Sequence, residues 1–324
     1  MTDVLFMYYG TPYSEEEILP YYTDIRHGHP PPPPLLEELK ARYRHIGKSP
    51  LNEITHALAR RLEALLRLSH PYFPKGLPTP PPPREDTGPR VFVGTKHSHP
   101  TIQDAVAAMA EAGVRRAVGL VAAPHYSARS IAEYEERARE ALERLGHPFA
   151  FKMIPSYAEH PAYLKAQAER VLEGLWRLQD PKRAAVLFSA HSVPLRSVEK
   201  DGGVYPKQLE ATARGIARLL GIESYRLVYQ SAGRTEEAWL GPDVNEVIEA
   251  LAKEGFREAL VAAIGFPADH LEVYYDLDYE AMQTAERVGI RLVRAPSLNA
   301  GLDYARALAA IVEEAVLSWS TSSS

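Results

Sequence analysis

Short apolar runs separated by longer amphipathic stretches recur along the whole chain, and this alternation constrains the fold more than any other feature. Eight runs read as strands: DVLFMYYG (3–10), RVFVGTKHS (90–98), AVGLVAAPHYS (117–127), FAFKMIPS (149–156), AAVLFSAHSVP (184–194), YRLVYQSAG (225–233), ALVAAIGF (259–266) and IRLVRAPS (290–297). Helical periodicity occupies 36–46, 50–68, 101–112, 128–145, 161–178, 206–220, 243–254, 270–287 and 301–318. Strands that are apolar throughout are buried on both faces, so the pattern predicts an α/β fold with parallel sheets covered by helices. FKMIPSYAEHPAY, around 150–163, reads as a crossover between two four-stranded halves. An eight-stranded barrel fits the same count, although the uneven connections speak against it. The prolines Pro30–Pro34 and the segment 70–89 are too proline-rich for regular structure, and the second reads as an exposed insertion.

Composition removes several chemistries. The 324 residues include no cysteine, which excludes disulfides, thiolate zinc sites, cysteine nucleophiles and iron–sulfur clusters. A net charge of −5 without a basic stripe argues against nucleic acid as a partner. No apolar run approaches the ~18 residues that span a bilayer, and MTDVLFMYYG has no export signal, so the chain reads as cytoplasmic. Neither a G-x-G-x-x-G nor a Walker phosphate loop follows a strand, and no G-x-S-x-G elbow is present. What remains is acid–base or metal chemistry by histidine and carboxylate.

In open α/β sheets ligands bind beyond the carboxyl ends of the strands. Those ends read Tyr8-Tyr9-Gly10, Lys96-His97-Ser98-His99, Pro124-His125-Tyr126, Ala190-His191-Ser192, Gln230-Ser231 and Phe266 to His270. A single histidine at such a place is commonly structural; histidines at four strand ends point to a site. The last end runs into ADHLEVYYDLDYE, with five acidic side chains in thirteen residues. Asp269 and Glu272 have the spacing of a capping box. At about 100° per residue Glu272, Asp276 and Glu280 fall within about 80° of one helix face, an acidic row suited either to solvent or to a cation's path.

FSAHSVP, DHLEVYYDLDYE, GKSPLNEIT, APHYSARS, YQSAGRTEEAWLGPD and YYGTPYSEEEILPYYTDIRHG resemble, in order and from residue 3 to about 315, the ferrochelatases, and most closely the soluble coproporphyrin ferrochelatases of Gram-positive-type bacteria. The resemblance implies two similar Rossmann-like halves, 1–150 and 151–300, with the site between them and helix 301–318 returning onto the first half. It implies a lyase of haem biosynthesis that inserts Fe²⁺ as substrate into a porphyrin and releases two pyrrole protons, with no permanently bound cofactor. By this resemblance His191 is metal ligand or proton acceptor and Glu272 its partner across the cleft, while Asp276 and Glu280 continue as an outer relay. Tyr9 lies on the opposite face of the ring. Arg26, Arg42, Ser49 and Tyr134 anchor its propionates, and His97, His125, Tyr126, Gln230 and Trp239 form cleft wall. Two departures stand out: the 70–89 insertion, and His27 where relatives often carry an arginine.

One imidazole and one carboxylate form an incomplete, borderline-hard donor set, able to release a divalent ion and poor at discriminating among such ions. The expected partners are a porphyrin and ferrous iron, with transient contact to neighbouring enzymes of the pathway, and the chain is expected to be a monomer. The competing readings are a protoporphyrin IX ferrochelatase and a non-catalytic two-lobed haem or metal carrier.

Overall fold

A computed structural model describes residues 1–69, 88–128, 130–233 and 237–321. Eight strands form two four-stranded sheets, parallel throughout. β1 (Asp3–Tyr8), β2 (Val91–Thr95), β3 (Arg116–Val121) and β4 (Ala150–Met153) assemble in the order β2-β1-β3-β4. β5 (Ala185–His191), β6 (Arg226–Gln230), β7 (Glu258–Ala262) and β8 (Arg291–Arg294) repeat that order as β6-β5-β7-β8. The alternation in the sequence therefore yields two open sheets and not one barrel. Most of the expected insertion, residues 70–87, lies outside the described residues.

Helices α1 (Ile18–Ile25), α2 (Pro33–Ile46), α3 (Leu51–Ser69), α4 (Ile102–Glu111) and α5 (Ile131–Arg144) belong to the first half of the chain. They are followed by α6 (Pro161–Leu175), α7 (Leu195–Lys200), α8 (Val204–Leu220), α9 (Val244–Lys253), α10 (Met282–Val288) and α11 (Leu302–Thr321). Sequence periodicity did not reveal α1 and α7. Both are too short to establish a period, and α1 carries Pro20 in its first turn.

Period-two burial explains how helices cover both faces of a sheet. Val4 and Phe6 of β1, with Val118 and Leu120 of β3, face Leu58, Leu62 and Leu66 of α3 and Tyr304, Leu308 and Ile311 of α11. The intervening Leu5 and Met7 face Ile102, Val106 and Met109 of α4 and Ala138 and Leu142 of α5. In the second sheet Val186 and Phe188 meet Leu209 and Ile216 of α8, whereas Leu187 and Val261 meet Ile248 and Leu251 of α9. Each fully buried Leu, Ile, Val, Phe or Met contributes about 1.5–3 kcal/mol of transfer free energy. The two halves share α6: its Tyr163 packs in the first cluster and its Val171 in that of the second sheet. Tyr157 and Tyr304 close this seam with hydroxyls 2.7 Å apart.

The stretch expected to be an ordinary helix over 270–287 is instead a π-helix, Val273–Ala281, leading into α10. Such helices are rare and concentrate at functional sites. The capping-box reading of Asp269 and Glu272 fails here. Asp269 is committed elsewhere, accepting from Ser297 Oγ (2.6 Å) and Asn299 Nδ2 (2.9 Å) and pairing with Arg294 (3.1 Å). A true capping box forms at α4, where Thr101 and Asp104 satisfy each other's amides at 3.0 and 2.8 Å.

Candidate active site

The strand ends set the site. β5 finishes on His191, whose main chain is held by a hydrogen bond from Tyr205 Oη on α8 to its carbonyl (3.0 Å). Its ring Nδ1 lies against the Ser192 carbonyl, so Nδ1 carries a proton and donates it, and Nε2 points to Glu272 Oε1 at 3.5 Å. Glu272 follows β7, the neighbour of β5, and is the last residue before the π-helix. The pair therefore stands on one wall, which corrects the expectation that Glu272 faces His191 across the cleft. Gln230, at the end of β6, accepts from Ser189 Oγ (3.1 Å) and donates to the Glu272 carbonyl (3.2 Å), fixing that wall from behind. Sequence reasoning counted His270 among the strand-end histidines but gave it no role; its Nε2 lies 3.5 Å from Glu272 Oε2 and its ring packs on Phe266 with centroids 4.6 Å apart. Its signal was its place within DHLE, two residues before the glutamate.

Burial opposes charge on His191, but the Glu272 carboxylate and the Ser192 carbonyl more than offset this and hold the imidazole up at about 9. Burial likewise opposes ionisation of Glu272, yet His191 and His270 hold it well below the usual carboxylate range. About a third of each side chain remains exposed, so this ion pair opens to solvent on one side. Behind it, Gly265 sits where an added Cβ would lie 2.6 Å from Ala190 Cβ and 2.8 Å from Ala190 Cα. We predict that Gly265→Ala displaces the end of β5 and lowers kcat about tenfold, more than its effect on melting temperature suggests; unchanged kcat would show that the His191 position tolerates the shift.

Further along the π-helix, Asp276 is 4% exposed. It accepts from Ser231 Oγ and faces Arg42 Nη1 at 3.5 Å. Burial first, and then Glu272, push its carboxyl up to about 6. Ser231 holds this contact with a left-handed backbone (φ 61°), a strain that favours retention by a packed site. Glu280 is partly exposed beside Asn245, Gln283 and Arg287, and close enough to Asp276 to raise its pKa. A π turn holds somewhat more than four residues, so a spacing of four still keeps Glu272, Asp276 and Glu280 in one row. Asp278 leaves that row to form a two-pronged pair with Arg294 at 2.6 and 3.0 Å.

Tyr9 supplies the wall from the first half. It is 40% exposed, and its ring lies 4.5 Å from that of His97 between centroids. The turn after it needs Gly10, with φ +84° and Ser98 Oγ 2.6 Å from an added Cβ. His97 is buried with Nδ1 2.5 Å from Asp24, which Arg137 also approaches at 3.4 Å. Burial pulls its pKa down to about 4. Lys96 is buried below Tyr9, paired with Glu133 and lying over the ring of Tyr134 at 5.4 Å.

The other expected residues divide. Tyr134 is 3% exposed in the core, under Lys96 and not at an open surface. Ser49 is buried, and its hydroxyl has no hydrogen-bond partner among the described residues. Arg26 sits at the end of α1 with Nε 3.3 Å from the His29 carbonyl, and the neighbouring His27 takes a left-handed backbone (φ 54°). His125 bridges the halves through Thr212 Oγ1 at 3.0 Å, and burial draws its pKa down to about 3. The amide of Tyr126 donates to Gln208 on α8 (2.7 Å). Trp239 packs on Gly233, where a Cβ would lie 2.4 Å from its ring, and pairs its backbone with Pro194.

This arrangement can receive a proton at an imidazole, hold a divalent cation between imidazole and carboxylate, and conduct either along an acidic row. Among the described residues no three His, Asp or Glu side chains form a closed metal site.

The model of the ferrochelatase family matches residues 1–316. A ferrochelatase of Thermus thermophilus is 57% identical over 314 residues, covering 97% of this chain and 99% of its own. A coproporphyrin III ferrochelatase of Geobacillus kaustophilus is 42% identical over 313 residues, with coverages of 95% and 94%. Among solved structures, SirB from Bacillus subtilis with Fe³⁺ matches with a TM-score of 0.62 at 10% identity, covering 97% of this chain and 95% of that one. At that identity the likeness concerns the fold alone.

Proposed function

Because the chain belongs to the ferrochelatase family, whose reaction is metal insertion into a porphyrin, we propose that the porphyrin it metallates with ferrous iron is coproporphyrin III. The observation that carries the site assignment is the His191–Glu272 pair, 3.5 Å apart on one wall, with Tyr9 supplied by the other half. Insertion exchanges two pyrrole protons for one Fe²⁺. His191 Nε2 has to be free of its proton to bind the ion or to accept a pyrrole proton. The adjacent Glu272 and the row through Asp276 and Glu280 give that proton a way out. The partly exposed phenol of Tyr9 meets the ring from the opposite side.

Two considerations support coproporphyrin III. The relative from Geobacillus kaustophilus carries that specificity in its name and aligns over nearly the whole chain. Coproporphyrin III also has four propionates against the two of protoporphyrin IX, and Arg26 and Arg42 lie on the first half where such groups can be met by guanidinium. Among the described residues no helix is long and apolar enough to cross a membrane.

The test is an anaerobic assay with Fe²⁺ and each porphyrin in one detergent-free buffer, followed in the Soret region. Coproporphyrin III is expected to give a kcat/KM at least about tenfold higher, the size of roughly one extra charge-assisted contact. Equal or reversed values would assign the chain to protoporphyrin IX instead.

A further inference from the structure

Asp276 has two unlike oxygens. Oδ2 accepts from Ser231, whereas Oδ1 is buried, has no hydrogen-bond partner among the described residues and faces Arg42 Nη1 at 3.5 Å. That distance is too long for a hydrogen bond and close enough for an ion pair. A guanidinium placed to brace the fold commonly closes bidentately, as Arg294 does on Asp278 at 2.6 and 3.0 Å. Arg42 is instead shared. Its Nη2 lies 3.2 Å from Glu38 on its own helix, its plane 4.6 Å from the Tyr275 ring centroid, and 23% of its side chain is exposed. α2 also has a separate hold on the π-helix, since the His45 ring packs 3.9 Å from Tyr279 and 5.7 Å from Tyr275. The guanidinium can leave Asp276 while α2 stays in place.

We propose that Arg42 is a gate on the acidic row. It occupies Asp276 in place of a cation, so a divalent ion reaches His191 and Glu272 along the row only after Arg42 yields, and a porphyrin carboxylate arriving at α2 draws it aside. The last step rests on the reading above that the ring's acidic substituents meet Arg42. The gate itself rests on the geometry at Asp276. A fixed positive charge at 3.5 Å from a buried carboxylate both neutralises that carboxylate and repels an approaching dication, which feels the repulsion twice over. Metal admission thereby becomes coupled to occupancy of the ring site, and an ion is kept out of an empty site that could hold it unproductively.

The experiment is porphyrin-free titration of Zn²⁺ into the full chain by calorimetry at pH 8, with melting temperatures recorded alongside. Arg42→Met should bind Zn²⁺ about tenfold more tightly than wild type, and Arg42→Lys, which keeps the charge, should stay within about twofold of it. A merely structural Arg42 would act in the opposite direction: its loss would lower the melting temperature and loosen the metal. Unchanged or weaker binding in Arg42→Met overturns the gate. His191→Ala separates this from the site assignment. If it weakens Zn²⁺ binding while Arg42→Met does not strengthen it, the gate alone falls. If it leaves the affinity untouched, the ion is bound elsewhere and the site assignment and the gate fall together.

Discussion

His191→Ala is expected to reduce kcat/KM for porphyrin metallation by about 10³-fold, Glu272→Ala by about 10²- to 10³-fold, and the double variant little further. Positioned acid–base groups commonly contribute 10²–10⁴, and residues that act in one step lose their effects together. The reason for expecting non-additivity is geometric. Each side chain is the other's charge partner at 3.5 Å, and each sets the other's protonation: the glutamate keeps the imidazole charged, and the imidazole keeps the glutamate ionised. Removing His191 takes away a charge that keeps Glu272 ionised, and removing Glu272 leaves His191 without the adjacent carboxylate to which it passes a proton. Both side chains are about one third exposed, so truncation opens no core cavity and the variants should remain folded. Initial rates at saturating Fe²⁺, taken for the four proteins of the cycle, decide the matter. Strictly multiplicative losses would mean that the two residues serve separate steps, and near-normal activity in His191→Ala would remove the central residue of the mechanism.

Asp276→Asn is expected to raise the melting temperature by a few degrees at pH 7.5 while slowing metallation moderately. Burial holds this carboxyl up at about 6, so the folded state binds its proton more tightly than the unfolded chain, whose Asp titrates near 3.9. The stability linked to that proton is fully present below about pH 4, is lost as the pH climbs through 6, and costs up to about 3 kcal/mol once the group is ionised. Asparagine retains an acceptor for Ser231 and avoids the charge, although Arg42 loses its partner, so a net gain of about 1–2 kcal/mol is a fair expectation. The gain should shrink as the pH falls from 6 towards 4. Differential scanning calorimetry in EDTA across pH 4.5–8 measures it, and a gain that does not change with pH would show that the carboxyl titrates normally. On the proposal that a dication travels along this row, the native sequence keeps a destabilising charge there, the kind of trade that functional sites commonly make.

The layers of the fold were legible because apolar runs and amphipathic helices differ in period, and each of the eight runs became a strand. The residues at the strand ends could be nominated for the same reason, since parallel sheets present their carboxyl ends to ligands. What the sequence hid was side-chain commitment. Asp269 and Glu272 have the spacing of a cap, but Asp269 is taken by Ser297, Asn299 and Arg294, partners some 25 to 30 positions away in the chain. Tyr205 holds the carbonyl of His191 from a helix whose pattern shows only amphipathicity. Arg42, legible as a basic residue on α2, gave no hint of pairing with Asp276 across more than two hundred positions. Long-range polar contacts of this kind carry no period, and so composition and spacing cannot reveal them. The π-helix escaped for a related reason: i→i+5 bonding leaves an apolar pattern close to that of an α-helix.

Both sheets share one strand order, and two of the side chains assigned to the proposed site follow corresponding strands: Tyr9 after β1 and His191 at the end of β5, each the first strand of its half and second in its sheet. Matching addresses on a repeated scaffold have thus acquired unlike chemistry, a phenol on one and an imidazole backed by carboxylates on the other. A flat guest held between near-copies of one layout would meet equivalent surroundings above and below. If Tyr9 and His191 flank the ring as proposed, its two faces meet groups of unlike charge and basicity, so the duplicated framework supplies the slot while its divergence supplies a direction, giving the guest a top and a bottom.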